Sequence, residues 1–144
     1  MLNVVKPTAG STVLVLGAGA VGLAALMAVK LAPSKPSKVI AVDIVPERLR
    51  LAKKYGATHV VNSKDHPDLK ATLMAITEGK GVDGAIDTTG RPDIVAQLLE
   101  SAAKKGVVVT VGVGSVSTSR SMKWPLLASS TSANKILAQR RSVY

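Results

Sequence analysis

The sequence has 144 residues, 47% of them hydrophobic and 2% aromatic, which fits one packed domain with an aliphatic core and excludes a cofactor domain joined to a full substrate domain. It has no cysteine and two histidines, His59 and His66, so disulfides and thiolate chemistry are excluded, no zinc site is expected, and a reducing, cytoplasmic location is indicated. The formal net charge is +10, but no basic run alternates with aromatic residues and glycines interrupt the longest apolar run, which argues against specific nucleic-acid binding and against a membrane span.

The first predicted elements are a strand at about residues 12–16 and a helix at about residues 21–31, joined by a glycine-rich turn. The turn contains Gly17, Gly19 and Gly22 in the spacing G-x-G-x-x-G. Gly17 permits a sharp turn, Gly19 lets the backbone approach a pyrophosphate, and Gly22 lets the helix pack closely against the strand. The N-terminus of the helix also attracts an anion. Taken alone, the pattern is equally compatible with a strand–helix junction that serves packing only.

The helix predicted at residues 21–31 is apolar around nearly its whole circumference. A surface helix of a globular protein normally has one apolar stripe, so a helix of this kind needs cover on two sides. We expect the sheet to cover one side and a missing layer or a partner to cover the other.

The following segments alternate between strands and helices up to about residue 111. The predicted strands lie at residues 38–42, 59–61, 81–87 and 106–111, and the predicted helices lie at residues 46–54, 68–77 and 92–103. This order predicts an α/β Rossmann fold, a doubly wound parallel sheet of five strands with helices on both faces. Ligands of such sheets bind beyond the carboxyl ends of the strands, which here means next to the glycine-rich turn.

An acidic residue, Asp43, closes the second predicted strand. In dinucleotide-binding proteins an acid about 20 residues beyond the last glycine accepts hydrogen bonds from a ribose 2′-hydroxyl. The strand, the glycine-rich turn, the helix and Asp43 together predict a dinucleotide site. Because Asp43 is followed by Ile44 and Val45 without an adjacent arginine, the sequence favours NAD over NADP.

From residue 115 onward the pattern weakens into a Ser/Thr-rich stretch with five basic and no acidic side chains. We expect residues 1–114 to form the dinucleotide-binding domain and residues 115–144 to form a basic tail. Ile136 and Leu137 are compatible with a remnant of a sixth strand, a frayed tail or a short helix, and these alternatives stay open. Nucleic-acid binding by the tail would appear as a steeply salt-sensitive affinity.

Motifs between residues 4 and 114 occur in the order that is found in one family of oxidoreductases. They are K-P-T-A-G at residues 6–10, V-L-V-L-G-A-G-A-V-G-L at residues 13–23, A-V-D at residues 41–43, L-A-K-K-Y-G-A-T at residues 51–58, V-D-G-A-I-D-T-T-G at residues 82–90 and V-G at residues 111–112. With these motifs the chain resembles the coenzyme-binding domain of medium-chain, zinc-type alcohol dehydrogenases, including their sorbitol-type and aryl-alcohol-type branches.

The resemblance implies contacts with NAD for three groups of residues. The glycine-rich turn supplies Gly17, Gly19, Ala20, Val21 and Gly22; the adenosine half is contacted by Asp43, Ile44 and Arg48; and the nicotinamide half is contacted by Thr88, Thr89, Val111 and Gly112. Structural alternatives stay open for some of them. Residues 88–90 also suit an ordinary strand-end turn, Arg48 suits a solvated helix charge, and Asp87 suits a cap or turn residue better than a catalytic acid.

The resemblance further implies the NAD(H)-binding domain of an alcohol or polyol dehydrogenase-like oxidoreductase that is not catalytically competent alone. The family's zinc ligands, proton relay and substrate pocket lie mainly in a catalytic domain outside the matching segment, so we expect a truncated product or one part of a longer protein. The Tyr-x-x-x-Lys site of short-chain dehydrogenases is absent, because His59 lies four residues after Tyr55. The expected partners are NAD(H) and either the missing catalytic domain or a second copy. The alternative function is a stand-alone dinucleotide-binding sensor or interaction module.

Overall fold

The computed structural model describes residues 5–111 and, for its backbone, residues 135–137. Strands and helices alternate along the chain as the sequence predicts. They are β1 Thr12–Leu16, α1 Ala20–Lys30, β2 Lys38–Asp43, α2 Pro46–Lys54, β3 His59–Asn62, α3 Leu69–Ile76, β4 Val82–Asp87, α4 Pro92–Glu100, β5 Ala102–Thr110 and β6 Lys135–Leu137.

The six strands form one parallel sheet in the order β3-β2-β1-β4-β5-β6. The chain proceeds outward from β1 to β3 and then adds β4 on the other side of β1. The direction of strand addition therefore reverses between β1 and β4, and a crevice opens there at the carboxyl ends of the strands. The predicted doubly wound, parallel α/β Rossmann fold is confirmed.

The sixth strand, β6, resolves one alternative that the sequence leaves open. Ile136 pairs with Val108 and Leu137 pairs with Val109, so this short segment extends the parallel sheet beyond β5. Residues 112–134 and 138–144 lie outside the described part of the chain, and so does most of the predicted tail.

The core consists of two apolar layers, one on each face of the sheet. β1 is buried along its whole length, and its side chains alternate between the two layers. Val13 and Val15 belong to a layer that contains Leu26 and Val29 of α1, whereas Leu14 and Leu16 belong to the layer that contains Leu69, Leu73 and Leu98 of α3 and α4. Leu14 and Leu26 are both 0% exposed, and each burial of this kind is worth about 1.5–3 kcal/mol.

The boundary between α4 and β5 differs from the prediction. The helix ends at Glu100 and not at residue 103. Ser101 is its C-cap, and both its backbone N–H (3.1 Å) and its hydroxyl (2.7 Å) donate to the Gln97 carbonyl. Ala102 then pairs with Val82 at the start of β5. Strand pairing at the edge of β4 thus outweighs the helix propensity of the two alanines.

One side of α1 is apolar but uncovered in the described part of the chain. Ala25, Leu26 and Val29 are buried against the sheet, whereas Val21 is 61% exposed, Met27 46% and Leu31 82%. The structure therefore supplies one of the two covers that the sequence predicts for this helix. None of the helices in the described ranges combines the length and the apolar character that crossing a bilayer requires.

Candidate functional site

A cleft of about 240 Å³ opens at the carboxyl ends of β1, β2 and β4, where the direction of strand addition reverses. The loops that follow these three strands form most of its walls. The lining residues are Leu16, Gly17, Gly19, Val42, Asp43, Ile44, Arg48, Ser63, Thr88, Thr89, Arg91 and Ile94. The structure thus brings together seven of the twelve residues that the sequence assigns to a ligand.

The glycine loop, residues 17–22, connects β1 to α1. Gly17 has φ +90°, a conformation that side chains disfavour, and a Cβ there would collide with the Thr88 hydroxyl. A Cβ on Gly22 would overlap the carbonyl oxygen of Gly17. These two glycines are therefore required by the fold itself, which needs the loop close to both β4 and its own helix.

Gly19 differs from its two neighbours in the motif. A Cβ built on Gly19 has no heavy atom within 4 Å, its φ of −74° is accessible to any residue, and the residue lines the cleft. The described structure gives no packing reason for a glycine at this position. The absent side chain instead leaves backbone accessible from the cleft.

Gly19 is also the N-cap of α1, and no side chain caps the helix there. The first turn contains no acidic residue, so the positive end of the helix dipole is not compensated by a carboxylate from its own turn. Ala20 and Val21 are exposed beside it. This terminus can accept an anion at the mouth of the cleft.

Asp43 ends β2 and is 7% exposed. Its Oδ2 atom accepts a hydrogen bond from Ala18 N–H of the glycine loop at 2.7 Å. Its Oδ1 atom accepts from the backbone N–H groups of Ile44 at 2.7 Å and Val45 at 2.9 Å. The guanidinium of Arg48 lies 3.8 Å from Oδ2, so Oδ2 keeps acceptor capacity toward the cleft while Oδ1 is saturated.

The turn after β4 faces the same cleft. The Thr88 hydroxyl lies 3.0 Å from the Leu16 carbonyl and 3.2 Å from the Gly17 carbonyl, to which it donates. Asp87 is fully buried and accepts hydrogen bonds from Thr89 and Gly90. Asp87 is therefore a turn residue in this structure, as the sequence suggests, and its side chain does not line the cleft.

The remaining predicted residues have different places. Ile44 is 38% exposed and lines the cleft together with Arg48, Thr88 and Thr89, so the two threonines share a cavity with residues assigned to the adenosine half. Val111 is 47% exposed, does not line this cleft, and donates its N–H to the Asp87 carbonyl at 2.8 Å. Gly112 lies outside the described residues.

Five other lining residues are not among the predicted ligand contacts: Leu16, Val42, Ser63, Arg91 and Ile94. Arg91 is the N-cap of α4, and its guanidinium lies 2.8 Å from Asp93. The hydrogen bond from Arg91 lowers the pKa of the Asp93 carboxyl below its ordinary value of 3.8. The sequence carries a weak signal for Arg91, since it directly follows a glycine-containing turn at a strand end.

Among the described residues that line the cleft, none is a histidine, lysine, tyrosine or glutamate. Within the described ranges, no three His, Cys, Asp or Glu side chains are placed to hold a metal ion. His59 lies on β3, where its Nδ1 is 2.8 Å from the Thr58 hydroxyl. The cleft therefore offers backbone donors, one buried carboxylate and two guanidinium groups, which are suited to binding a ligand.

Comparison with known proteins identifies relatives of this fold and site. The family model described as zinc-binding dehydrogenase matches residues 20–144. Alcohol dehydrogenase 1 of Petunia hybrida is 44% identical over 115 residues, and alcohol dehydrogenase 2 of Zea mays is 44% identical over 114 residues. Each match covers 78% of this chain and 29% of the relative, so the chain spans less than a third of the length of these relatives.

Solved structures give the same result. The benzyl alcohol dehydrogenase of Acinetobacter calcoaceticus superimposes with a TM-score of 0.74 and 44% identity, over 81% of this chain and 31% of the other. An alcohol dehydrogenase zinc-binding domain protein from Burkholderia ambifaria superimposes with a TM-score of 0.74 and 39% identity, over 81% and 30%. The resemblance found in the sequence is confirmed: this chain belongs to the zinc-binding dehydrogenase family and represents the NAD-binding half of zinc-type alcohol dehydrogenases.

Proposed function

We propose that the cleft binds NAD(H) and that the chain is the coenzyme-binding part of an alcohol or polyol dehydrogenase-like oxidoreductase. The observation that carries this proposal is the 2.7 Å hydrogen bond from Ala18 N–H to the buried Asp43 carboxylate. It holds the glycine loop against an acid at the carboxyl end of the neighbouring strand. A dinucleotide needs this pairing, because its pyrophosphate and its adenosine ribose are joined directly.

The cleft fits the adenosine and pyrophosphate parts of the ligand. The open space above Gly19 and the uncapped N-terminus of α1 suit the pyrophosphate. The remaining acceptor capacity of Asp43 Oδ2 suits a ribose hydroxyl. Ile44 and the guanidinium of Arg91 line the cleft nearby, and they suit the two faces of an adenine ring.

The nicotinamide half is assigned by the family resemblance. Thr88, Thr89, Val111 and Gly112 are the residues proposed to contact it, and Val21 of the glycine loop is proposed to contact the cofactor. Val21 and Val111 are 61% and 47% exposed, so both side chains are accessible to a ligand. Bound NAD would supply an acceptor or donor of hydride, and the residues of this chain would hold and orient it.

Zinc does not fit the described residues. The family description names zinc, but the sequence has no cysteine, and in the described part no group of three metal-binding side chains exists. We derive no role for zinc in this chain. The proposed dinucleotide-binding domain at residues 1–114 therefore needs other residues for substrate chemistry. The domain itself extends past residue 114 in this proposal, since the family match reaches residue 144 and β6 pairs with β5.

The exposed side of α1 supports an additional partner. Val21, Met27 and Leu31 present an apolar surface beside the proposed cofactor site. We propose that a catalytic domain or a second copy of the chain covers this surface. The comparisons give no support to a stand-alone sensor, since the relatives are alcohol dehydrogenases that are more than three times as long as the matched segment.

Titration with reduced dinucleotides tests the proposal. We expect NADH to bind more tightly than NADPH, because a 2′-phosphate would meet the Asp43 carboxylate. The preference is moderated by Arg48, which lies 3.8 Å from that carboxylate although it is not adjacent in sequence. Asp43→Ala should weaken NADH binding by about tenfold or more, the equivalent of at least one charge-assisted hydrogen bond.

The control is Asp83→Asn. The Asp83 Oδ2 atom also accepts a backbone N–H, that of Thr12, but Asp83 lies at the amino end of β4, whereas the cleft lies at the carboxyl ends of the strands. This variant should bind NADH like the wild type. Fluorescence titration of NADH, with circular dichroism to verify folding, provides the measurement. Tighter binding of NADPH by the wild type, or unchanged NADH binding by a folded Asp43→Ala variant, would contradict the proposal.

A further inference from the structure

Asp87 is a buried carboxylate whose role in the site is not explained by contact with a ligand. It is 0% exposed and does not line the cleft. Its Oδ1 atom accepts the Thr89 N–H at 2.9 Å and the Thr89 hydroxyl at 2.7 Å, and its Oδ2 atom accepts the Gly90 N–H at 3.2 Å. A buried carboxylate in this position is stabilised only if these donors stay in place.

The Thr89 hydroxyl passes the effect of Asp87 on to the next residue of the cleft. A hydroxyl has one hydrogen, and in Thr89 it is donated to Asp87. The lone pairs of that hydroxyl then face away from Asp87, and the oxygen accepts the backbone N–H of Arg91 at 3.3 Å. Asp87 thereby determines the orientation of Thr89 and, through Thr89, the backbone position from which the Arg91 side chain enters the cleft.

The same turn is attached to the glycine loop. The Thr88 N–H lies 2.8 Å from the Leu16 carbonyl, and the Thr88 hydroxyl donates to the carbonyls of Leu16 and Gly17. Thr88, Thr89 and Arg91 all line the cleft. The residues on both sides of the Asp87 contacts therefore belong to the site, although Asp87 itself does not.

We propose that Asp87 is a positioning residue of the cofactor site. Its carboxylate orients the Thr89 hydroxyl, the hydroxyl fixes the Arg91 backbone, and Arg91 is thereby held against the adenosine half of the ligand. This inference rests on the proposed binding of NAD(H). In this role Asp87 takes part in no proton transfer and contacts no ligand atom; it acts only through the hydrogen bonds that it accepts.

The test uses the full 144-residue chain and NADH as the probe. In Asp87→Asn an oxygen at the Oδ1 position can still accept from Thr89 and, at 3.3 Å, from the Gly90 N–H, but the negative charge is lost and an NH2 group takes the place of Oδ2, which accepts the Gly90 N–H at 3.2 Å. Thr89→Val removes the hydroxyl with little change in shape, whereas Thr89→Ser retains it. We expect Asp87→Asn and Thr89→Val each to weaken NADH binding by about tenfold. Thr89→Ser, which keeps the hydroxyl, should retain an NADH affinity within about twofold of the wild type.

A double-mutant cycle with Arg91→Gln separates positioning from a general loss of stability. If Asp87 acts through Arg91, then Asp87→Asn should have little further effect on NADH affinity once Arg91 is replaced. Asp83→Asn, whose carboxylate accepts a backbone N–H at the other end of β4, should show no such coupling. If Asp87→Asn fails to fold, the cycle between Thr89→Val and Arg91→Gln decides the question in the same way.

The outcomes are distinguishable. Additive effects of Asp87→Asn and Arg91→Gln, or wild-type NADH affinity in a folded Asp87→Asn variant, would overturn the positioning role and leave the proposed function intact. A Thr89→Ser variant that binds NADH as weakly as Thr89→Val would also overturn the positioning role. Absence of NADH binding by the wild-type chain would overturn the proposed function and, with it, this inference.

Discussion

Gly19 and Gly22 lie three residues apart in one motif, but a methyl group would meet different surroundings at the two positions. At Gly22 it would overlap the Gly17 carbonyl oxygen, whereas at Gly19 it would meet no heavy atom within 4 Å. The motif already predicts this difference, since its second glycine allows approach to a pyrophosphate and its third allows close packing of the helix. The structure shows that Gly22 is needed for the packing of α1 on β1, and we propose that Gly19 serves the ligand.

Alanine at the two positions should therefore produce opposite results. Gly22→Ala should destabilise the fold by more than about 2 kcal/mol, because the overlap with backbone exceeds the gain of about 1 kcal/mol in helix propensity. Gly19→Ala should leave stability within about 0.5 kcal/mol of the wild type and weaken NADH binding by about tenfold or more, since the methyl group enters the cleft. Urea denaturation and NADH titration measure the two effects. Equal NADH affinity in Gly19→Ala would contradict the role given to Gly19.

Residues of the site were predictable from sequence to the extent that backbone spacing determines them. Gly17, Gly19 and Asp43 follow from the distance between strand ends in a βαβ unit. The position of the Arg91 side chain depends on an ion pair with Asp93 and on the turn held by Asp87. Such side-chain contacts are not encoded in a local spacing, so the sequence motifs do not predict them.

At the scale of elements, hydrophobic periodicity predicts where the helices lie more accurately than it predicts the residues at which they end. Apolar positions locate α1, α3 and α4 correctly because one face of each helix must pack on the sheet. The end of α4 depends instead on Ser101 and on the pairing of Ala102 with Val82. These are contacts with another part of the chain, and a local pattern does not contain them.

A salt bridge joins β2 to the end of α3 and gives the stability of the chain a dependence on pH. The Lys38 ammonium lies 2.8 Å from the Ile76 carbonyl and 2.6 Å from the Glu78 carboxylate. The hydrogen bond from Lys38 is the main cause that lowers the pKa of Glu78 below its ordinary value of 4.5. The unfolded chain therefore binds a proton more readily than the folded chain, so this stabilisation is complete above the ordinary pKa and lost as the pH falls through the lowered one.

Lys38→Met should consequently lower the free energy of unfolding at neutral pH more than in acid below the lowered pKa of Glu78, where this carboxyl is protonated in both chains. A residual difference should persist in acid, because the hydrogen bond to the Ile76 carbonyl does not depend on Glu78. Urea denaturation of both chains across this pH range measures the effect, with exposed Lys35→Met as the control. A difference between wild type and Lys38→Met that grows as the pH falls would contradict the sign.

At the scale of the whole molecule, the alternation of strands and helices determines the parallel sheet, because right-handed crossovers leave few other arrangements. The sixth strand was not predictable in the same way. β6 has three residues and no periodicity of its own, and it exists as a strand through its pairing with Val107, Val108 and Val109. The partner strand, and not the segment, selects its conformation.

The arrangement of the molecule also sets an expectation for activity. Hydride transfer needs a substrate carbon next to the nicotinamide and an electrophile at the substrate oxygen. The described residues supply a ligand cleft without such groups, so the chain alone should bind NADH and show no alcohol-dependent reduction of NAD. An absorbance assay with benzyl alcohol, on a preparation whose NADH binding has been verified, provides the measurement. Turnover that scales with chain concentration and survives a chelator would refute this expectation.

The position of β1 between β2 and β4 also sets the order in which the cleft can assemble during folding. The contact between Ala18 and Asp43 spans 25 residues, and the contact between Gly17 and Thr88 spans 71. Closing the longer loop costs about 0.9 kcal/mol more chain entropy than closing the shorter one. One wall of the cleft can thus form while β4 is still being synthesised, whereas the other wall must wait for it. A ligand that contacts both walls cannot guide the early steps of folding, and it stabilises only the completed sheet.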